Sequence, residues 1–201
     1  MLPAIIRAEF EYVNPATTQE NDYYGAYNIL LFHAFPVSDG FVIHPQVQVR
    51  HYVMYPLRAN RVSQVVPAFS RRDALDFVVY FRVELHRIPV FFVEVKTAVT
   101  IMHTSARAGA DDQIRDRLRQ LFDQSLSELR GISALGTRLC FYTLDKSLES
   151  ITPIAIPRNE AYVNDTAPAD RWDVDILTDD GYNRFMEVCN EVKALATAEA
   201  L

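Results

Sequence analysis

The sequence predicts a mixed α/β fold, a central sheet flanked by helices. Three observations carry that expectation. Apolar residues recur at the three-to-four spacing of a helix in residues 17–35, in 106–130 and again near the C-terminus. Two runs rich in Val, Phe and Tyr, 75–85 and 88–95, have the length and composition of buried strands. Six glycines and ten prolines in 201 residues are too few for a low-complexity or fibrous chain, and 49% hydrophobic residues are enough to build a core.

The elements follow in order. In residues 17–35 the stripe is Tyr23, Tyr27, Leu30, Leu31 and Ala34; Thr17 or Thr18 supplies a cap, and Glu20 falls in the first turn, where a carboxylate complements the helix dipole. Pro36 and the Asp39-Gly40 turn close it. Residues 41–49 alternate but contain Pro45, which places this strand near a sheet edge. A short strand is expected over 61–66. Residues 75–85 and 88–95 flank His86-Arg87 and read as a β-hairpin. Residues 106–130 read as one helix with Ile114, Leu118, Leu121, Phe122 and Leu129 on a face and Gly131 as its stop. Strands over 137–144 and 150–156, a polar loop over 159–175 and a helix over 179–198 complete the chain. No internal repeat, linker or composition shift marks a boundary, so residues 1–201 read as a single domain.

Composition narrows the function. Twenty Lys and Arg against 26 Asp and Glu give a formal charge of −6, so bulk charge does not draw this chain onto nucleic acid, and such binding needs a local basic patch. Cys140 and Cys189 are too few for a disulfide framework or a cysteine zinc site and read as buried thiols. Arg7, Glu9 and Glu11 interrupt the first residues, which is unlike a signal peptide, and no window approaches the ~20 apolar residues of a membrane span. The expectation is an intracellular protein, cytoplasmic or nuclear. The five histidines lack paired ligand spacing, and no nucleophile elbow, Walker A or dinucleotide motif is present.

Chemistry is expected where a charge interrupts an apolar strand. Asp76 lies within Leu75-Asp76-Phe77-Val78-Val79, and Glu94 and Lys96 lie within Phe91-Phe92-Val93-Glu94-Val95-Lys96. A buried charge there is expensive unless paired or bound to a metal. Two-residue periodicity puts Glu94 and Lys96 on one face, and a hairpin lets Asp76 lie beside Glu94 at the same end of the sheet. Two arrangements satisfy such a cluster: a Mg²⁺ or Mn²⁺ ion on hard oxygen ligands, or a structural ion pair between Lys96 and either carboxylate.

Asp76 followed by Glu94-Val95-Lys96 on the next strand resembles the D…ExK signature of the PD-(D/E)XK nuclease superfamily. Leu75 stands where that signature often has proline. More narrowly, the chain resembles a fungal group within the superfamily, through Tyr23-Tyr24-Gly25-Ala26-Tyr27-Asn28, Pro89 to Lys96, Asp112-Gln113-Ile114-Arg115 and Gly136 to Tyr142. The resemblance implies a restriction-endonuclease-like core of order α-β-β-β-α-β. It also implies a Mg²⁺- or Mn²⁺-dependent endonuclease hydrolysing phosphodiester bonds of nucleic acid, DNA first among them, and it allows a homodimer. By the same resemblance Asp76, Glu94 and the Val95 carbonyl hold the metal, and Lys96 positions the attacking water. Glu20 binds a second metal or an ordered water, and Gln113 orients Lys96 or a substrate phosphate.

Arg115, Arg117 and Arg119 fall on the helix that carries Gln113, and Arg71-Arg72 precede the Asp76 strand; these are the candidate phosphate contacts. Asp111, Asp112, Asp116 and Asp123 interleave with the helix arginines, which equally describes a solvated face of i,i+4 pairs. Trp172 either stacks on a base or pins its loop to the domain. Because a fold does not fix a function, a nuclease-like fold used purely as a binding module is the alternative expectation.

Overall fold

A computed structural model of the protein describes residues 1–48, 51–53, 66–68, 74–83, 86–159 and 161–199. Four helices, α1 (Ala4–Tyr12), α2 (Tyr24–Ala34), α3 (Thr104–Gln120) and α4 (Asp179–Glu199), pack on an open mixed sheet. Its strands are β1 (Phe41–Gln48), β4 (Ala74–Val83), β5 (His86–Lys96), β6 (Glu128–Leu135), β7 (Arg138–Asp145) and β8 (Ser150–Thr152), in that spatial order, with β9 (Val174–Asp175) also on β7. A separate small ladder joins β2 (His51–Val53) to β3 (Val66–Ala68). β1 lies at the sheet edge, as Pro45 requires, because a proline nitrogen has no hydrogen to give a ladder.

β4 and β5 form the expected antiparallel hairpin, but His86 and Arg87, expected as its connection, belong to β5 and pair with Val83 and Arg82. Phe77 sits opposite Val93, so Asp76 lies beside Glu94 at the end of the ladder. β5 and β6 run parallel, with Glu94 opposite Ser133. Parallel neighbours need a long crossover, and α3 supplies it. The helix that follows β5 therefore returns over the sheet and faces the strand carrying Glu94.

The sheet divides two apolar clusters. Val79, Phe91, Val93 and Val95 pack on α1, α2 and α4 through Ile6, Phe10, Tyr27, Leu30 and Phe185. Val78, Phe92 and Leu129 pack on α3 through Ile114 and Leu118. Alternation along β5 thus sends Phe92, Glu94 and Lys96 toward α3.

Three further sequence expectations are corrected. The helix expected over 106–130 ends at Gln120; after a 3-10 turn (Phe122–Gln124) the chain becomes β6, so Leu129 is a strand residue and Gly131 lies inside β6 rather than ending a helix. The reason is tertiary: Gly131 lies opposite Phe92, and a Cβ there would meet the Phe92 ring at 2.7 Å, so the residue that reads as a stop is one that lets two strands and an aromatic pack. The helix expected over 17–35 begins as a 3-10 turn (Glu20–Tyr23) and becomes α-helical only at Tyr24, so Glu20 is in the entry turn. Thr17 organises that entry by donating to Asp22 at 2.5 Å and accepting from the Gln19 N–H at 3.1 Å. The strand expected over 150–156 is confined to Ser150–Thr152.

Sequence reading assigned no element to α1, which buries Ile6 and Phe10 and sets Phe10 edge-on to Tyr27. The strand expected over 61–66 lies outside the described residues except for Val66, which begins β3. Cys140 and Cys189 are free and buried, and burial pushes the Cys140 thiol up to about 12. No helix among the described residues is long and apolar enough to cross a membrane.

Candidate active site

The hairpin register and the α3 crossover bring the separated charges of the sequence together. Asp76, near the start of β4, accepts the hydroxyl of Tyr24 on Oδ1 and the Val95 N–H on Oδ2 at 2.8 Å. The Tyr24 ring is steadied edge-on against Phe77, 5.5 Å between centroids. Burial first, and then the hydrogen bond to Asp76, raise the Tyr24 hydroxyl well above the ordinary tyrosine range, so it stays a donor.

Glu94 is 3% exposed, and α3 meets both of its oxygens. Gln113 Nε2 donates to Oε2 at 2.8 Å and Arg117 Nε to Oε1 at 3.3 Å. Four residues apart on one helix, these two side chains share a face. Arg117 also donates to Gln120 Oε1 at 2.9 Å. Burial pushes the Glu94 carboxyl up to about 8; the Asp76 charge adds to the rise, while Arg117 and Lys96 oppose it.

Lys96 is two residues further along the same face, and its ammonium pairs with Glu20 Oε1 at 3.2 Å. The structural ion pair between Lys96 and Asp76 or Glu94 is therefore not the arrangement adopted. Glu20 acts on the cluster through Lys96, and Gln113 contacts Glu94 in place of the expected Lys96.

The candidate phosphate contacts are distributed differently from the sequence expectation. Arg115 is 3% exposed and grips Asp111 through Nε at 2.8 Å and Nη2 at 3.1 Å. Arg117 is 2% exposed on Glu94. Neither lies on a surface stripe, because the charged face of α3 is turned to the sheet and paired there. Arg119 stays exposed and pairs with Asp116 at 2.9 Å. Arg71 and Arg72 lie outside the described residues. Trp172 is buried and donates to Ser133 Oγ at 3.3 Å, pinning its loop rather than presenting a ring to a base.

Sequence reading missed two members of the site. Tyr24 stands within the Tyr23 to Asn28 stretch that carries the resemblance, but nothing there marks it as a partner of Asp76. Arg117 carried a signal, its four-residue offset from Gln113, but was read as a phosphate contact because its carboxylate partner is 23 residues away in sequence.

The donor set suits one small, hard cation. Asp76 and Glu94 are adjacent carboxylates, and the repulsion and burial that raise Glu94 are the two costs a divalent ion relieves. Mg²⁺ is commonly held by one or two carboxylates, with water and phosphate completing the shell. Among the described residues no group of three or more His, Cys, Asp or Glu is arranged to hold a metal ion.

No family model matches the chain, and no curated protein or solved structure matches it.

Proposed function

We propose that the protein is a Mg²⁺- or Mn²⁺-dependent nuclease, an endonuclease hydrolysing phosphodiester bonds of DNA, built on a restriction-endonuclease-like core. The observation that carries this reading is the convergence of Asp76 and Glu94 at one end of the β4–β5 ladder, with Lys96 on the face of Glu94 and Gln113 bonded to it. The order hairpin, helix, strand through β4, β5, α3 and β6 supports it.

Asp76 and Glu94, with the Val95 main chain beside them, are the residues that would hold the cation. When bound, such an ion polarises a phosphodiester and makes a coordinated water more acidic. The protein's own part is positional. Tyr24 and the Val95 N–H fix the Asp76 carboxylate; Gln113 and Arg117 fix Glu94. Lys96, held by Glu20, presents an ammonium suited to orient an attacking water and to offset charge developing on the phosphate.

The test is cleavage of supercoiled and linear DNA in Mg²⁺ or Mn²⁺ by the wild type, Asp76→Asn and Lys96→Ala. A loss of about a hundredfold or more in both variants, with unchanged circular dichroism, is the expected result. Wild-type rates in both purified variants overturn it.

One observation favours a second reading, a nuclease-like fold serving as a binding module. All four oxygens of Asp76 and Glu94 already accept hydrogen bonds from the protein, so the cluster is satisfied without a cation. On that reading the wild type binds nucleic acid or protein but leaves DNA uncut in every metal.

A further inference from the structure

Glu94 is held by two donors of different kinds. Gln113 is a neutral amide, whereas Arg117 is a guanidinium and brings a positive charge. Both project from one face of α3, and both they and Glu94 are largely or wholly withdrawn from water. Screening at such a site is weak, so a fixed positive charge in contact with Glu94 raises the cost of bringing a second cation to the same carboxylate. A neutral amide on the other oxygen imposes no such cost.

The arrangement also explains how a carboxylate can be kept inside the sheet when no metal is bound. A single buried charge is severely destabilising, and a charged partner on α3 offsets part of that penalty. The same partner is then in the way when a divalent ion arrives.

We propose that Arg117 is a resident counter-ion that competes with a divalent cation for Glu94 and thereby sets the metal affinity of the site, an inference that rests on the metal-dependent reading above. Arg117 is a positioning residue in this scheme, acting through Glu94. Its charge, more than its hydrogen bond, is what holds metal affinity down.

The experiment is a Mn²⁺ titration of the full chain, by calorimetry and by thermal shift, on the wild type, Arg117→Gln and Arg117→Lys. Arg117→Gln keeps a donor without the charge and is expected to bind Mn²⁺ about tenfold or more tightly than the wild type. Arg117→Lys keeps the charge and is expected to stay near the wild-type affinity. Mn²⁺ binding that is equal or weaker in Arg117→Gln overturns the competition while leaving a metal site in place. Tightening in Arg117→Lys to match Arg117→Gln also overturns it, since charge would then not be the cause. Absence of Mn²⁺ binding in wild type and variants alike removes the metal-dependent reading together with the proposal. If Arg117→Gln does not fold, Arg117→Met refills the volume without charge and carries the same expectation, and Arg117→Lys still supplies its own outcome.

Discussion

The Tyr24 hydroxyl and the Asp76 carboxylate, 52 residues apart in sequence, are joined by a direct hydrogen bond that ties the start of α2 to the start of β4. With the Val95 N–H on the other oxygen, Asp76 has one orientation imposed from two elements. Tyr24→Phe leaves one carboxylate oxygen without its protein donor. A hydrogen bond to a charged group in a partly buried place contributes about 1–2 kcal/mol. Denaturant unfolding should show that loss as a lower midpoint with an unchanged slope. A midpoint within error of the wild type would mean the hydroxyl does not anchor Asp76.

Glu94 gives a pH dependence whose sign follows from its surroundings. Burial and the Asp76 charge raise its folded value to about 8, against 4.5 for an unperturbed glutamate. Between those values the folded state binds more protons than the unfolded chain, so this group's contribution to stability is full below about 4.5 and is lost as the pH rises through about 8. Glu94→Gln removes the titration. Melting temperatures measured from pH 5 to pH 8 should fall for the wild type relative to the variant, and parallel curves would show that Glu94 is not raised. Saturating Mn²⁺ should reduce the wild-type fall, because an ion on Glu94 favours the charged form.

The hairpin that carries the site was legible from the sequence because its information is local. Alternation puts Glu94 and Lys96 on one face, and a short connection puts Asp76 beside Glu94. Partners supplied from elsewhere in the chain were not legible. Nothing near Tyr24 marks it for Asp76, and nothing near Arg117 marks it for Glu94, since both pairings depend on how helices cross the sheet. β6 was hidden for a related reason. Leu129 extends the helical stripe of 106–130, and only the crossover to a parallel neighbour of β5 makes that segment a strand.

Gly131 tests that last point. Its position opposite Phe92 leaves no room for a methyl group: a Cβ would fall at 2.7, 2.9 and 3.3 Å from three atoms of a fully buried ring. Gly131→Ala should destabilise the fold by about 1–3 kcal/mol, the usual cost of overpacking a filled core. Pairing it with Phe92→Leu should recover part of that loss, and unfolding of the two single variants and the double variant measures the coupling. Additive losses would show that the ring is not the obstacle.

Asp111 holds a second charged centre, and its loss should be felt in the loop before β9. The carboxylate receives Arg115 from its own helix, the Tyr142 hydroxyl at 2.6 Å from β7 and Arg171 Nη1 at 2.6 Å from the loop. Arg107 adds bonds to Asp165 at 2.5 Å and to the Ala167 carbonyl at 2.9 Å, so α3 grips that loop at two places. Burial alone would raise the Asp111 carboxyl, but the hydrogen bonds from Arg115 and Tyr142 and the charges of Arg115 and Arg171 outweigh it and hold the group below its ordinary 3.8. A lowered value means that its contribution is complete above 3.8 and is lost as the pH falls through the folded value. Asp111→Asn leaves two guanidinium groups facing a neutral amide, at a cost of about 3–5 kcal/mol. The variant should unfold at lower denaturant at pH 7 and lose the acid-dependent step expected of the wild type as the pH falls below 3.8. Limited proteolysis should cut residues 153–168 faster in the variant. Equal cutting would mean that the loop is held by Arg107 and Trp172 without help from Asp111.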